Sequence, residues 1–439
     1  MKHLGDITQI NGYTATSVNV IIGGSPCQDL SVAGKRAGLQ GERSGLFMEQ
    51  IRIIKEMRDN DERQGRTGAD IRPRYMVWEN VPGAFSSNKG ADFGAVLQET
   101  VKVIEPKAPA IPVPQKGWPT AGCLTGDDMG RKWSVAWRVF DAQFWGVPQR
   151  RRRIALVADF GGFTAPEILF ERESLQRNTD PCGTSWKAAF SPAESNFAVS
   201  INNRGSFYGD KAETLRAESH GALPTAYCIQ GNCIDRALTA GCNGKGWTEN
   251  VSYTLNTVDR PAVVPLLNDQ GGSSLTGNDA ATVAPTIRAE MHGNVPAVVF
   301  SDVAIARRLT PLECERLQGY PDGWTAIGEI VGYNVYTDDE GNEYKDPIRE
   351  YTDGNGKRKK VTDSARYKAL GNSISIPNWF YVLQKLTLYC GADTTMASLF
   401  DGIGGFPLIW ETLNGKGSCV WASEIEEFPI AVTKFRFNT

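Results

Sequence analysis

The sequence predicts an α/β fold: a doubly wound sheet accompanied by a second, smaller, mostly β or irregular domain. Three observations predict it. Short apolar runs of strand length, Val18 to Ile22, Tyr75 to Trp78, Ile154 to Ala158 and Ala397 to Phe400, each give way to polar or glycine-rich residues, as strands of a parallel sheet do where they end on a ligand crevice. The run at Ala397 leads through Asp401-Gly402-Ile403-Gly404-Gly405 into a helical stretch, Leu408 to Leu413, and Glu424 follows a further apolar stretch, Ser418 to Ala422. Glycines there let the backbone approach a nucleotide-type ligand, and an acid at the end of the next strand can hold ribose hydroxyls. From about Gly161 to Phe300 the long apolar runs vanish and Asn, Gly, Ser and Thr dominate, which marks the second domain.

In chain order, Gly5-Asp6 is a turn signal ahead of the first strand. The glycines and proline of Gly23-Gly24-Ser25-Pro26-Cys27-Gln28-Asp29-Leu30-Ser31 end that strand sharply, so Cys27 stands at its carboxyl end as a candidate nucleophile. A buried, inert cysteine is the ordinary reading of such a thiol, and only its company overturns it. Asp29 to Gly45, rich in Gly, Lys, Arg and Ser, reads as a mobile loop able to close over a substrate. Leu46-Phe47 with Ile51, Ile53 and Ile54 resumes a helix, and the charged residues 59 to 73 lie on the surface. The strand Tyr75 to Trp78 delivers Glu79-Asn80-Val81. Between Glu99 and Asp128, prolines at 106, 109, 112, 114 and 119 break regular structure. Trp137 to Asp141 and Ile154 to Ala158 read as neighbouring strands, with the run Gln149-Arg150-Arg151-Arg152-Arg153 just before the second.

The segment that follows carries a weak repeat: Thr214 to Gly221, the divergent Thr254 to Thr257, and Thr286 to Gly293, closed by Pro224, Pro261 and Pro296. Tandem copies can stack to share a core that one copy lacks. Further on, Thr310-Pro311 with Glu313 is a helix start, Thr as cap and Pro at the first position. Ile327 to Thr362 is a polar insertion whose turn signals, Asp339 to Asn342 and Asp353 to Gly356, predict hairpins with a basic tip, Lys357 to Lys360. Arg366 to Ile374 leads into a helix over Pro377 to Leu388.

Composition bounds what these pieces can mean. The 439 residues suffice for two or more domains, the net charge is −3, and no apolar run is long enough to span a bilayer, which takes about 20 residues. Nine cysteines without a CxxC pair argue for reduced thiols in a cytoplasm. Cys228, Cys233 and Cys242 lack a suitably spaced fourth ligand, so no metal is expected. A slightly acidic chain that binds nucleic acid must do so through local basic clusters.

Pro26-Cys27-Gln28, Glu79-Asn80-Val81 and Gln149-x-Arg151-x-Arg153 stand in the relative order of three family motifs. The sequence resembles the DNA cytosine-5 methyltransferases of bacteria and phages. That resemblance implies a Rossmann-like S-adenosylmethionine-dependent domain, with Cys27 adding to carbon 6 of cytosine and Glu79 facing ring nitrogen 3 and the exocyclic amine. Arg151 and Arg153 would orient Glu79 or the base carbonyl and lower the thiol pKa. Phe400, Asp401, Gly402, Gly404, Glu424, Asp6, Ile7, Pro26, Leu46, Asn372 and Ser373 would frame S-adenosylmethionine, with Asp6 and Ile7 beside the adenine. DNA contacts fall to Gln28, Ser31, Lys35, Arg36 and Arg43 of the loop, to Gln149, and to Arg216 and Arg288 of the repeats. The partner implied is double-stranded DNA with the target base flipped out, for a monomer in the host cytoplasm, at the nucleoid, with a cognate restriction endonuclease as companion.

The domains expected are a catalytic domain in two parts, 1–160 and 366–439, around a target-recognition domain, 161–365. In the family the glycine-rich turn and its acid come first, whereas here they come last, so the order reads as a circular permutation. Termini that are neighbours in space make such a cut and rejoining physically sensible. Two rivals stand beside this reading: a tRNA cytosine-5 methyltransferase, against which the long segment 161–300 argues, and a catalytically silent cofactor- or DNA-binding protein, against which intact Cys27 and Glu79 argue.

Overall fold

Strands from the two ends of the chain interleave in one sheet. The structure, a computed structural model, describes residues 1–25, 45–147, 149, 151–170, 310–337, 343–354 and 356–438, together with the backbone of short strands between Ser200 and Arg308. The main sheet has eight strands: β1 (Lys2–His3), β2 (Val20–Gly23), β3 (Tyr75–Asn80), β4 (Ala121–Asp128), β5 (Arg131–Asp141), β6 (Arg152–Asp159), β7 (Met396–Leu399) and β8 (Cys419–Ser423). Their order across the sheet is β1-β8-β7-β2-β3-β6-β5-β4. From β1 to β3 all pairings are parallel, and β6, β5 and β4 continue the sheet antiparallel. The sheet is therefore mixed rather than wholly parallel.

Each apolar run becomes a strand because both of its faces are covered. Ile21, Met76, Trp78, Leu156, Leu399 and Trp421 enter one buried cluster with Phe47, Ile51 and Ile54 of helix α1 (Leu46–Arg63) and Phe93 of α2 (Ala91–Val101). Phe93 meets Phe85, Trp118 and Trp137 edge-on, with ring centroids 4.7, 5.3 and 5.6 Å away. After β6 the chain gives α3 (Asp363–Asn372), α4 (Ile376–Cys390), α5 (Gly405–Asn414) and α6 (Glu427–Phe437), besides shorter helices.

One expected irregular stretch is corrected. Ala121–Asp128 is a strand, because Gly122 pairs with Trp137 and Gly126 with Trp133, and each indole lies over its glycine so closely that an added Cβ would stand 2.3 or 2.4 Å away. The strand's packing surface is supplied by its partner, and glycine is the residue that leaves room for it.

The chain divides into two compact units, Met1–Asp141 with Arg151–Asn178 and Gly323–Thr439, and Ala142–Arg150 with Thr179–Asp322. The first resumes at Gly323, well before the expected boundary at 366, because Trp324 is already buried and bonded to Ile403. It also contains a three-stranded antiparallel sheet, Glu329–Thr337, Glu343–Thr352 and Arg358–Lys360, which is the expected pair of hairpins. The basic tip is engaged by carboxylates: Lys359 meets Asp353 at 3.3 Å and also Glu427, and Arg358 meets Glu329 at 3.2 Å. In the second unit an antiparallel sheet orders Trp247–Glu249, Ala226–Ile229, Ala262–Pro265 and Arg307–Arg308. Its helix Pro311–Gln318 starts on a full capping box between Thr310 and Glu313. The repeat copies at 214–221, 254–257 and 286–293 lie outside the described residues. Among the described residues no helix is long and apolar enough to cross a membrane.

Candidate active site

The parallel register brings the carboxyl ends of β1, β8, β7, β2 and β3 to one edge of the sheet, where a crevice for ligand forms in such folds. Gly23 ends β2 close against Gln50: an added Cβ would lie 2.5 Å from its amide oxygen and would require that side chain to shift. At Gly24 it would lie 3.0 Å from Oε2 of Glu79, so the carboxylate rests against the main chain that leads towards Cys27. Ser25 is gripped from β3: Trp78 Nε1 donates to its hydroxyl at 2.9 Å and Asn80 Nδ2 to its carbonyl at 3.3 Å. Cys27 itself lies outside the described residues, with Pro26, Gln28, Ser31, Lys35, Arg36, Arg43, Arg216 and Arg288.

Glu79 sits inside β3 rather than after it, opposite Ala155 of β6. Two strands therefore fix it, and Arg153 of β6 closes on it, with Nε 2.9 Å from Glu79 Oε1 and only 13% and 14% of the two side chains exposed. An ion pair so enclosed is screened little by salt and has a defined geometry. Arg151 is directed elsewhere. Its guanidinium, 1% exposed, donates to the carbonyls of Gly371 and Ser373 at the C-terminal end of α3, where the helix dipole and unpaired carbonyls favour a cation. It thereby anchors the Asn372-Ser373 turn. Gln149, expected at the DNA, has its side chain fully enclosed, with neither amide atom hydrogen-bonded.

The glycine-rich turn joins β7 to α5. Phe400, Gly402 and Gly404 all take positive φ, 55°, 56° and 79°. Glu424, after β8, ties that turn to its own: Oε2 accepts from Gly402 N at 2.8 Å, and Oε1 accepts from Ile425 N at 2.7 Å and Glu426 N at 2.8 Å. Asp401 is buried, its Oδ1 accepting from Ser398 Oγ at 2.5 Å while Oδ2 has no hydrogen-bond partner. At the end of β8, Ser423 Oγ donates to Gly5 O at 2.7 Å, which sets Asp6 beside the turn that carries Glu424. Asp6 is exposed and caps Ile7–Gln9, whereas Ile7 packs into the core at 3% exposure. Leu46, half-buried, opens α1; Asn372 is exposed and Ser373 buried. These groups fit S-adenosylmethionine: open space over Gly402, where an added Cβ meets nothing within 4 Å, an acid on the adjacent strand end, and an unpartnered buried carboxyl oxygen. Ser25, Trp78, Asn80 and Trp324 were not among the expected site residues; Ser25, inside the stretch Gly23 to Ser31, and Asn80, inside Glu79-Asn80-Val81, stood in motifs that could have found them.

Burial pushes the Asp401 carboxyl up to about 8, with the Ser398 hydroxyl opposing and the Glu424 charge adding to the rise. The folded state thus keeps a proton that the unfolded chain releases at ordinary carboxylate pH. The stability this contributes is full below about 4 and is lost as pH rises through about 8. Denaturant titrations of wild type and Asp401→Asn are expected to diverge over that window, the variant losing less stability, and parallel curves would contradict it.

A family model for C-5 cytosine-specific DNA methylases matches residues 1–103 and 125–337. The chain is 30% identical over 434 residues to a DNA N-6-adenine-methyltransferase of Escherichia phage P1, covering 88% of this chain and 55% of that protein. It is 23% identical over 424 residues to a type II methyltransferase of Bacillus subtilis, covering 96% of this chain and 71% of that one. The chain thus spans little more than half the length of the phage relative. The solved Dnmt2 methyltransferase of S. pombe aligns over 88% of this chain and 83% of its own at 13% identity and a TM-score of 0.36. With the family model matching well over half of its residues, the chain belongs to the C-5 cytosine-specific DNA methylase family.

Proposed function

We propose that this chain transfers a methyl group from S-adenosylmethionine to carbon 5 of a flipped-out cytosine in double-stranded DNA, within a specific sequence context, through a covalent adduct with Cys27. The observation that carries the reading is the enclosed Glu79–Arg153 pair, set against the main chain that leads from Gly24 to Cys27. Carbon 5 of cytosine is a poor nucleophile, so a thiolate must first add at carbon 6 and make the ring electron-rich. Glu79, oriented by Arg153, hydrogen-bonds ring nitrogen 3 and the exocyclic amine, offsets charge developing in the ring, and distinguishes cytosine from thymine. The cofactor supplies an electrophilic methyl group. Gly402, Glu424 and Asp6 hold it at the sheet's edge, beside the strand end that carries the thiol. None of this is possible on a stacked base, so the target must leave the duplex.

The first unit, with residues 1–141, 151–178 and 323–439, acts as the catalytic domain in a circularly permuted order, and the segment from 179 to 322 reads the DNA sequence. The register of β7 between β8 and β2 supports the permuted order. A second reading comes from the name of the phage P1 relative, adenine N6 methylation. This chain matches 55% of that protein, and methylating an exocyclic amine by direct attack needs no thiol, so Cys27 favours cytosine.

The test is nucleoside analysis by mass spectrometry of DNA from a methylation-deficient host that expresses the chain, with bisulfite sequencing to find the sites. The expected result is new 5-methylcytosine in one short sequence context and no new N6-methyladenine. The reverse would establish the second reading.

A further inference from the structure

We infer that Trp324 is a positioning residue for the cofactor turn, its indole N–H holding Phe400–Gly404 in the conformation that S-adenosylmethionine binds. This rests on the cofactor reading above. The turn is not one the chain adopts unaided. Phe400 has φ 55°, a left-handed conformation that side chains other than glycine avoid, and Gly402 and Gly404 follow with positive φ. Such backbone persists only where its surroundings over-determine it. Glu424 grips one side of the turn through Gly402 N. Trp324 grips the next peptide: its Nε1 donates to Ile403 O at 2.8 Å in a buried hydrogen bond, 79 residues apart in sequence.

Trp324 is itself braced from the last helix. Arg436 Nε donates to Trp324 O at 2.8 Å, and its Nη2 donates to Gly323 O. The same guanidinium lies 5.3 Å from the indole centroid, within cation–π range. Phe437 stands edge-on to the indole at 6.1 Å and also covers Gly404, where an added Cβ would come within 2.7 Å of its ring. Indole, guanidinium and phenyl ring therefore make one rigid support under the turn. Of these three groups, Trp324 is the one whose hydrogen bond to the turn's backbone the structure gives. Phenylalanine at this position keeps an aromatic ring in the stack but leaves the Ile403 carbonyl without that donor in a buried site, which favours a rearranged turn.

The experiment is calorimetric titration of S-adenosylmethionine into the full chain as wild type, Trp324→Phe and Arg436→Gln, with steady-state kinetics on DNA. For Trp324→Phe the expected result is a rise of about tenfold in cofactor Kd and in the KM for S-adenosylmethionine, the size of one unmade buried hydrogen bond. The kcat at saturating cofactor should stay within about twofold, since the methyl-transfer groups are untouched. Arg436→Gln removes the brace and keeps the indole, so it should raise Kd in the same direction by a smaller factor, and it serves where Trp324→Phe does not fold. Lower thermal stability with unchanged Kd in the variants would make Trp324 merely structural and overturn the inference alone. A wild-type chain that binds no S-adenosylmethionine would overturn the cofactor reading, and this inference with it.

Discussion

A chain ending at Thr395 is expected to lose S-adenosylmethionine binding entirely and to form no stable sheet. Residues 396–439 supply β7 and β8, which lie between β1 and β2 rather than at an edge, so their removal takes away the strand partner of β1 and one of the two partners of β2. They also carry the glycine-rich turn and Glu424. The energetic side is decisive by itself. Met396, Leu399, Ile409, Trp410, Trp421 and Val432 are all buried to 1% exposure or less. At about 1.5–3 kcal/mol for each such side chain, their loss removes roughly 10 kcal/mol or more. That is comparable with the whole stability of a typical domain, about 5–15 kcal/mol. Far-UV circular dichroism and calorimetry on the shortened chain would check this, and a folded chain that still bound the cofactor would refute it.

The companion to that experiment moves the segment instead of removing it. A gene rearranged to begin at Met396, pass from Thr439 into Met1 and end near Cys390 keeps every strand. His3 Nε2 and Thr433 Oγ1, 2.9 Å apart, show that the chain's first strand already touches its last helix. Cofactor affinity is expected to change by no more than a few-fold. Activity confined to the rearranged form would show that the present order is not the working one.

Replacing Cys27 by serine is expected to abolish the covalent complex with DNA and to lower kcat by at least about a thousandfold, as loss of a nucleophile does elsewhere. A duplex with 5-fluorocytosine at the target is the sharpest probe. Once the thiolate has added at carbon 6 and the methyl group has been transferred to carbon 5, fluorine there leaves no proton to remove, and elimination of the thiol stalls. Wild-type protein should therefore shift the duplex on a denaturing gel only with S-adenosylmethionine present, and Cys27→Ser should not. A serine hydroxyl is a far weaker nucleophile near neutral pH than a thiol, of which a few per cent is thiolate. An undiminished adduct in the variant would assign the nucleophile to another residue.

How much of this was legible beforehand follows from the range over which each signal acts. Apolar runs at Val18, Tyr75, Ile154 and Ala397 announced four strands of the main sheet, because burial on both faces leaves a continuous hydrophobic signature in the chain itself. The cap at Thr310 and the hairpin signals around 353–356 were legible because their partners lie within four residues. The order of the motifs grouped Cys27 and Glu79 with both Arg151 and Arg153, and of these the structure brings Glu79 and Arg153 together.

What only the tertiary structure decided depends on residues far apart. Ala121–Asp128 read as irregular because its stabilising surface belongs to Trp133 and Trp137 on the facing strand. Arg151 and Arg153, alike and two residues apart, part company because α3 offers carbonyls to one and β3 a carboxylate to the other. Trp324 carries no signal in the sequence around it, because the partner of its indole N–H is Ile403, 79 residues away. Local pattern in this chain marked most of its strands, helices and turns and nominated the residues proposed to carry the chemistry. Register and packing decided which of those side chains meet, because a hydrogen bond spanning 79 residues leaves no periodic trace in the sequence it joins.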